Sequence, residues 1–312
     1  MSTLEKYLYA QGLSESSVKG YYKIILDFIA WLDGQNIEAE NTVSADITAY
    51  IQHLRKKKLA NATLNMRVKV LRLFFTYQIE QEKRTDNPAK YIKIRGVKRK
   101  KLYQIFSKEE LEQLYQSYQI PTADKKHNNK NNGIMHRLSR QRNKVIIGLM
   151  IWQGLTTPEV NKLTVKDVKL REGKIYIAGS RKSAERTLDL KSHQIIDLME
   201  YQMTTRNELL KYCKTPGEEF FISAPPSGKL VSERNDSFHI WKRLSEEIRQ
   251  QNPKFINFKQ VRTSVITHWL GENNLRMVQY MAGHKYVSTT ETYLVNQVED
   301  LQADIEQFHP IG

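Results

Sequence analysis

A mainly α-helical fold with a small β-sheet is predicted for this chain, as an N-terminal helical bundle followed by a larger C-terminal mixed α/β domain. Three observations predict it. Apolar residues recur at helical spacing through residues 1 to about 90. Short β-type runs separated by a glycine-containing turn are confined to the stretch from Val168 to Leu190. Between the two parts, Lys93 to Lys101 is a basic run with one glycine and no acid. A chain of 312 residues suits two cores better than one.

The bundle is expected over residues 1–92. A short helix around Leu4 to Tyr9 comes first. Ser14 then caps a segment with Tyr21, Ile24, Ile25, Phe28, Trp31 and Leu32 on one face, ended by Gly34. Ser44 caps a second long segment carrying Ile47, Tyr50, Ile51 and Leu54. Asn61 opens a third, with Leu64, Val68, Leu71, Phe74, Phe75 and Ile79, and Asp86-Asn87-Pro88 stops it. Residues 93–103 are read as an extended linker and 104–312 as the second domain. There, Ser107-Lys108-Glu109-Glu110 is a capping-box helix start. Lys125 to Asn132 reads as a loop, and Arg140 to Gln153 as a helix buried through its apolar middle. Thr157-Pro158-Glu159 opens another helix, with Thr157 as its cap. Strands are expected in Val168 to Ile177, turning at Arg171 to Lys174, and in Thr187 to Leu190. Ile195 to Leu210 reads as one helix, Pro225 to Gly228 as a loop, and the remainder from Ser237 as mostly helix.

Forty-nine Lys and Arg against 34 Asp and Glu give a net charge of +15 and a pI near 9.6, which points to a polyanionic partner, nucleic acid foremost. Arg55, Lys56, Lys57 and Lys58, with Arg67, Lys69 and Arg72, form a basic surface beside the bundle's apolar stripes. The run Lys98, Arg99, Lys100 and Lys101 is expected to lie along a nucleic-acid backbone. The hydrophobic fraction of 40%, with 16 Tyr and 4 Trp, is enough to build packed cores. One cysteine, Cys213, excludes an internal disulfide and a cysteine-based zinc site. No run is long enough to span a bilayer and no signal-peptide pattern opens the chain, so a cytoplasmic location and no membrane partner are expected.

The stretch from Gly283 to Tyr293 carries the chemistry. His284 precedes Tyr293 by nine positions, and Arg262 lies just upstream on an amphipathic segment. A tyrosine is a poor nucleophile at its free pKa. Attack on a phosphodiester needs cationic donors on the phosphate and a group to manage the phenol proton. Arginine and histidine do both without metal, and neither a cofactor nor a metal is expected.

In order, spacing and composition, these residues resemble the tyrosine recombinase (phage integrase) family. The resemblance covers nearly the whole chain. Gly12-Leu13-Ser14, Tyr21-Tyr22, Phe28 and Trp31-Leu32 look like the family's core-binding, SAM-like helical domain, and Asn87-Pro88-Ala89 matches its end. Arg262-Thr263-Ser264 with His268, then Gly283-His284, Thr289-Thr290 and Tyr293, match the tyrosine-recombinase catalytic domain. The resemblance implies that Tyr293 forms a 3′-phosphotyrosyl link to DNA, that Arg262 forks onto two phosphate oxygens and that His284 donates to the same phosphate. It also implies a tetramer on double-stranded DNA, docked through the tail helix that bears Leu301, Ile305 and Phe308, with a partner recombinase as a further possibility.

The chain departs from the family pattern in three places. The expected Gly-Leu-Arg-x-x-Glu-Leu reads Gly154-Leu155-Thr156-Thr157-Pro158-Glu159-Val160, so the usual first catalytic arginine is replaced by Thr156. Losing one preorganised donor of this kind costs about 3 kcal/mol or more. Lys259 stands where the family most often has histidine, and keeps a cation. In the strand hairpin Ser180 holds the place of the general-acid lysine; Lys182, two residues on, is the expected replacement and Arg181 the alternative. Arg140, Arg142, Arg181 and Arg186 are the arginines close enough in sequence to make good the loss at Thr156. The expected function is a site-specific recombinase or integrase, of a mobile element. Thr156 motivates the alternative, a recombinase-like DNA-binding accessory protein with weak or no catalysis. A helix-turn-helix regulator would explain the charge but not the spacing of Arg262, His284 and Tyr293, and no carboxylate cluster suggests a metal-dependent nuclease.

Overall fold

The computed structural model describes residues 2–96, 103–121, 131–213, 217–223 and 237–294. The chain divides into two compact units, Met1–Lys101 and Leu102–Gly312.

Among the described residues of the first unit four α-helices pack around one core: α1 (Thr3–Ala10), α2 (Glu15–Asp33), α3 (Ser44–Lys56) and α4 (Asn61–Glu80). Ser14 caps α2 by accepting from the Ser17 amide, and Gly34 ends it. α3 differs in detail from expectation. Val43 is its N-cap residue, the Asp46 carboxylate accepts the Val43 amide at 2.8 Å, and Ser44 instead donates to the Pro88 carbonyl. The apolar faces meet at Phe28, whose ring makes edge contacts with Tyr50 at 4.9 Å and Phe75 at 6.0 Å. Such edge-to-face pairs are favoured by the ring quadrupoles.

Two of the expected surface cations are turned into the bundle. Arg67 donates to the Tyr50 hydroxyl at 2.9 Å and pairs with Asp27 at 3.0 Å, bracing α4 against α3 and α2. Arg72 donates to the carbonyls of Ala89 and Ile92, and Asn87 donates to the Arg72 carbonyl at 2.9 Å. This latch holds the chain after α4 against the bundle, and it gives Asn87-Pro88-Ala89 a mechanical reason. A buried or half-buried guanidinium takes carbonyl partners when no water is available to it. Arg55, Lys57, Lys58 and Lys69 remain exposed, as a basic face requires. Lys98, Arg99, Lys100 and Lys101 lie outside the described residues.

The second unit is mainly helical around a three-stranded antiparallel sheet in the order β1 (Val168–Lys169), β2 (Lys174–Ile177), β3 (Arg186–Asp189). Among the described residues its helices are α5 (Lys108–Gln116), α6 (Asn131–Trp152), α7 (Thr157–Lys162), α8 (Ser192–Glu200), α9 (Arg206–Leu210), α10 (Ser237–Gln251), α11 (Phe258–Glu272), α12 (Leu275–Ala282) and α13 (Val287–Glu291). α6 and α11 run through the core and pack on each other. The helix expected over Ile195 to Leu210 is interrupted by a π-helical turn at Tyr201–Thr205. There the buried Tyr201 hydroxyl donates to the Phe220 carbonyl and accepts from the Ile222 amide. Burial, only partly offset by the bond from the Ile222 amide and by nearby Arg142 and Arg206, pushes its pKa up to about 12.

The register pairs Ile175 with Leu188 and Ile177 with Arg186. Alternation along β3 therefore turns Arg186 and Leu188 to the buried face together. A cation sits where the strand period calls for an apolar residue. Among the described residues no helix is long and apolar enough to cross a membrane.

The Arg72 latch is expected to carry measurable stability. Arg72→Met keeps most of the aliphatic stem but leaves two carbonyls without a charged donor, so urea unfolding of the full chain should show a loss of about 2 kcal/mol. An unchanged midpoint would mean the latch is idle.

Candidate active site

The site forms where α7, the β2–β3 turn, α11 and the segment after α12 converge. α11 is capped by Asn257, whose side chain accepts from the Gln260 amide, and Arg262 follows in the next turn. The Arg262 guanidinium donates to two backbone carbonyls, Gly154 after α6 and Ala282 at the end of α12, the latter at 2.6 Å. These bonds fix the plane of the fork. A side-chain hydrogen bond also links it to Tyr293.

His284 is placed by a helix ending. Gly283 takes φ +67° and closes α12, and the His284 amide reaches back to the Gln279 carbonyl at 3.0 Å. This is the Schellman arrangement, which favours glycine at that position. The His284 ring nitrogen Nδ1 lies 2.9 Å from the hydroxyl of buried Thr290, which leaves Nε2 as the nitrogen that Thr290 does not engage. The His284 and Tyr293 rings stack with centroids 5.6 Å apart. Tyr293 is partly exposed and packs on Ile266, Val278 and Ala282. Arg262, His284 and Tyr293 thus share one neighbourhood.

The β2–β3 turn is bound to the same loop. Ser183 forms a β-bridge with His284, and the Ala184 amide donates to the Gly283 carbonyl at 2.9 Å. Ser180, at the position where lysine was expected, caps the turn by accepting the amides of Lys182 and Ser183. Lys182 is exposed at the tip and lines a cavity of about 380 Å³ together with Thr156, Glu159, Arg262 and His284. Arg181 is exposed on the same turn but does not line the cavity. Lys259 is exposed one helical turn before Arg262 and also lies off the cavity wall.

Thr156, and not Thr157, is the N-cap of α7. Its hydroxyl donates to Glu159 Oε2 at 2.9 Å and its amide to the same oxygen at 2.8 Å. The Thr-x-x-Glu spacing is a capping box, and that signal was present in the sequence. The other carboxylate oxygen, Oε1, receives Arg186 at 2.8 Å, while Arg262 lies 3.9 Å from Oε2. Burial alone would raise the Glu159 pKa. The Arg186 hydrogen bond and charge outweigh it, helped by the Thr156 amide and Arg262, and the carboxyl is held below its ordinary range. For Arg262 burial pushes the guanidinium down, against the attraction of Glu159.

Of the four arginines near the site in sequence, Arg186 alone touches this cluster among the described contacts. Arg140 lies over the Tyr118 ring and pairs with Glu247. Arg142 is buried against the Asn143 side chain and the Ile222 carbonyl. The Thr290 hydroxyl and the two carbonyls that fix Arg262 were not foreseen as supports; backbone acceptors leave no mark on a sequence.

A carbonyl-braced arginine, a histidine and a tyrosine thus stand together in a basic chain of two units. Residues 104–300 match the phage integrase family and residues 1–84 match the phage integrase N-terminal SAM-like domain, and the chain belongs to the phage integrase family. Among its relatives, tyrosine recombinase XerD of Chlamydia trachomatis serovar D is 26% identical over 309 residues, covering 96% of this chain and 92% of the relative. Tyrosine recombinase XerA of Thermococcus kodakarensis is 23% identical, covering 96% and 91%. The same fold occurs in the XerH site-specific recombinase bound to palindromic difH substrate, with a TM-score of 0.67 and 19% identity over 97% of this chain and 84% of that one. It occurs also in a lambda integrase tetramer bound to a Holliday junction, with a TM-score of 0.62 and 15% identity over 93% and 74%.

Thr156→Arg is expected to lower stability by about 1 kcal/mol through loss of the cap, without raising DNA cleavage. Urea unfolding and a cleavage assay on the same preparation check both. The depressed pKa of Glu159 sets a pH dependence as well. Its contribution to stability is fully present above the unfolded carboxylate value, about 4.3, and is lost as pH falls through the lower folded value. Unfolding midpoints between pH 6 and 3 should therefore fall less steeply in Glu159→Gln than in the wild type.

Proposed function

We propose that this chain is a site-specific tyrosine recombinase that cuts and rejoins double-stranded DNA through a 3′-phosphotyrosyl intermediate, with a mobile element as its setting. The observation that carries this reading is the shared neighbourhood of Arg262, His284 and Tyr293, with Lys182 on the adjoining cavity wall.

In this reading the Tyr293 oxygen attacks the scissile phosphorus as the bond to the 5′ oxygen breaks. The phenol proton leaves to solvent or a neighbouring base, and Lys182 gives a proton to the departing 5′ oxygen. The energy of the broken ester is kept in the tyrosyl ester, so a 5′ hydroxyl can reverse the step without ATP. Arg262, with its plane fixed by two carbonyls, faces two non-bridging oxygens. It stabilises the charge that grows on them in the transition state. His284, oriented by Thr290, donates from Nε2 to the same phosphate. Lys259 supplies a further cation one turn from Arg262. Exposed Arg55, Lys57 and Arg181 contact phosphates along the duplex, as do Lys98, Arg99, Lys100 and Lys101 of the linker. Arg67 and Arg72 act on DNA indirectly, by setting the shape of the bundle.

The active assembly is a tetramer on DNA. The tail with Leu301, Ile305 and Phe308, read from its sequence as an amphipathic helix and lying outside the described residues, docks on a neighbouring copy or on a partner recombinase. The uncharged capping role of Thr156 is the one observation that favours a second reading, a DNA-binding accessory protein of weak catalysis.

A nicked suicide duplex bearing the cognate site, obtained by selection from randomised DNA, separates the two. A covalent adduct is expected with wild-type protein, unchanged in EDTA and absent in Tyr293→Phe. Wild-type protein that binds the site and forms no adduct would establish the accessory reading instead.

A further inference from the structure

Arg186 is the largest fully buried side chain among the described residues. It is fully buried at the start of β3, on the face that otherwise carries Leu188. One nitrogen, Nη1, binds Glu159 at 2.8 Å, while Nε and Nη2 are buried with no hydrogen-bond partner among the described residues. The surroundings are built to admit it. A Cβ added to Gly283 would lie 2.4 Å from Arg186 Nη1, so the guanidinium occupies the space that any other residue would fill. A buried cation with two unmet donors is costly and calls for a use.

Glu159 sits between two arginines. Arg186 holds it at hydrogen-bond distance and Arg262 lies at 3.9 Å, and all three side chains are almost wholly buried. Two cations against one carboxylate leave one net positive charge. Without Arg186, Glu159 and Arg262 would cancel, and the pocket would meet a phosphate with a neutral pair.

We propose that Arg186 is a positioning residue that neutralises Glu159 and so keeps the charge of Arg262 available to the scissile phosphate, offsetting from behind the pocket the cation that Thr156 does not provide. It does not touch the phosphate; it acts through Glu159. Charge interactions of this kind are strong because the groups are removed from water. This rests on the recombinase reading for its substrate, but the charge arrangement can be tested apart from DNA cleavage.

The test measures binding of inorganic orthovanadate, a phosphate mimic, to the full-length protein by vanadium NMR, with circular dichroism to confirm folding. Four proteins form a charge series at the cluster. Arg186→Met leaves no net charge, wild type and the double variant Arg186→Met/Glu159→Gln each leave one, and Glu159→Gln leaves two. Expected affinities rise in that order, with Arg186→Met weaker than wild type by roughly tenfold or more and the double variant within about threefold of wild type. If Arg186→Met does not fold because Glu159 is left buried and unpaired, the double variant still carries the comparison with wild type, since it leaves neither a lone buried carboxylate nor a lone buried guanidinium at position 186; Glu159→Gln, which strips Arg186 of its partner, is read only where circular dichroism shows it folded. A purely structural Arg186 would make all folded variants bind more weakly than wild type, and that result overturns the proposal. So does an absence of vanadate binding to wild type. On the suicide duplex the double variant should cleave faster than Arg186→Met where that variant folds; failure of wild type to form adduct would instead count against the recombinase reading.

Discussion

The Glu159 carboxylate ties the second unit's pocket together. Through one oxygen it closes the first turn of α7 onto Thr156; through the other it holds Arg186, which arrives from β3. Arg262 on α11 stands at the edge of the same carboxylate and is braced by carbonyls from the ends of α6 and α12. Elements far apart in sequence are thereby fixed about a few atoms. Exposed ion pairs contribute little because water screens them. This cluster is different, since its members are almost fully enclosed and each depends on the others to justify its burial.

Around that centre the supporting contacts come mostly from the backbone. The turn after α12 sets His284, a β-bridge binds the hairpin tip to it, and Ser180 closes the hairpin. The exposed residue of the group is Lys182, at a hairpin tip whose backbone is tied down by Ser180. Such an arrangement suits a proton donor, which must be near the leaving oxygen yet free to reach it. The bundle follows a similar logic on a larger scale: Arg67 and Arg72 brace it from within, while Arg55 and Lys57 stay in solvent.

Much of the fold was legible because helices advertise themselves by period. The faces of Phe28, Tyr50 and Phe75 follow from spacing alone. The interruption at Tyr201–Thr205 was not legible, because it answers to the Phe220 carbonyl and the Ile222 amide, which belong to a distant segment. In the site, the proximity of Arg262, His284 and Tyr293 could be expected from order and spacing. What Arg67 and Arg72 bind could not, since an arginine on a helix reads the same whether it faces water or a carbonyl. The part played by Thr156 was half legible. Comparison with a motif showed what it lacks, whereas its own local pattern with Glu159 showed what it does.

The close approach of Gly283 to Arg186 also constrains how this sequence can drift. A bulkier residue at 283 meets the guanidinium, the Ala184 carbonyl and the left-handed backbone together. A shorter residue at 186 removes the first of these obstacles and leaves the other two. Loss of the arginine therefore lowers the cost of losing the glycine, whereas loss of the glycine first carries every penalty at once.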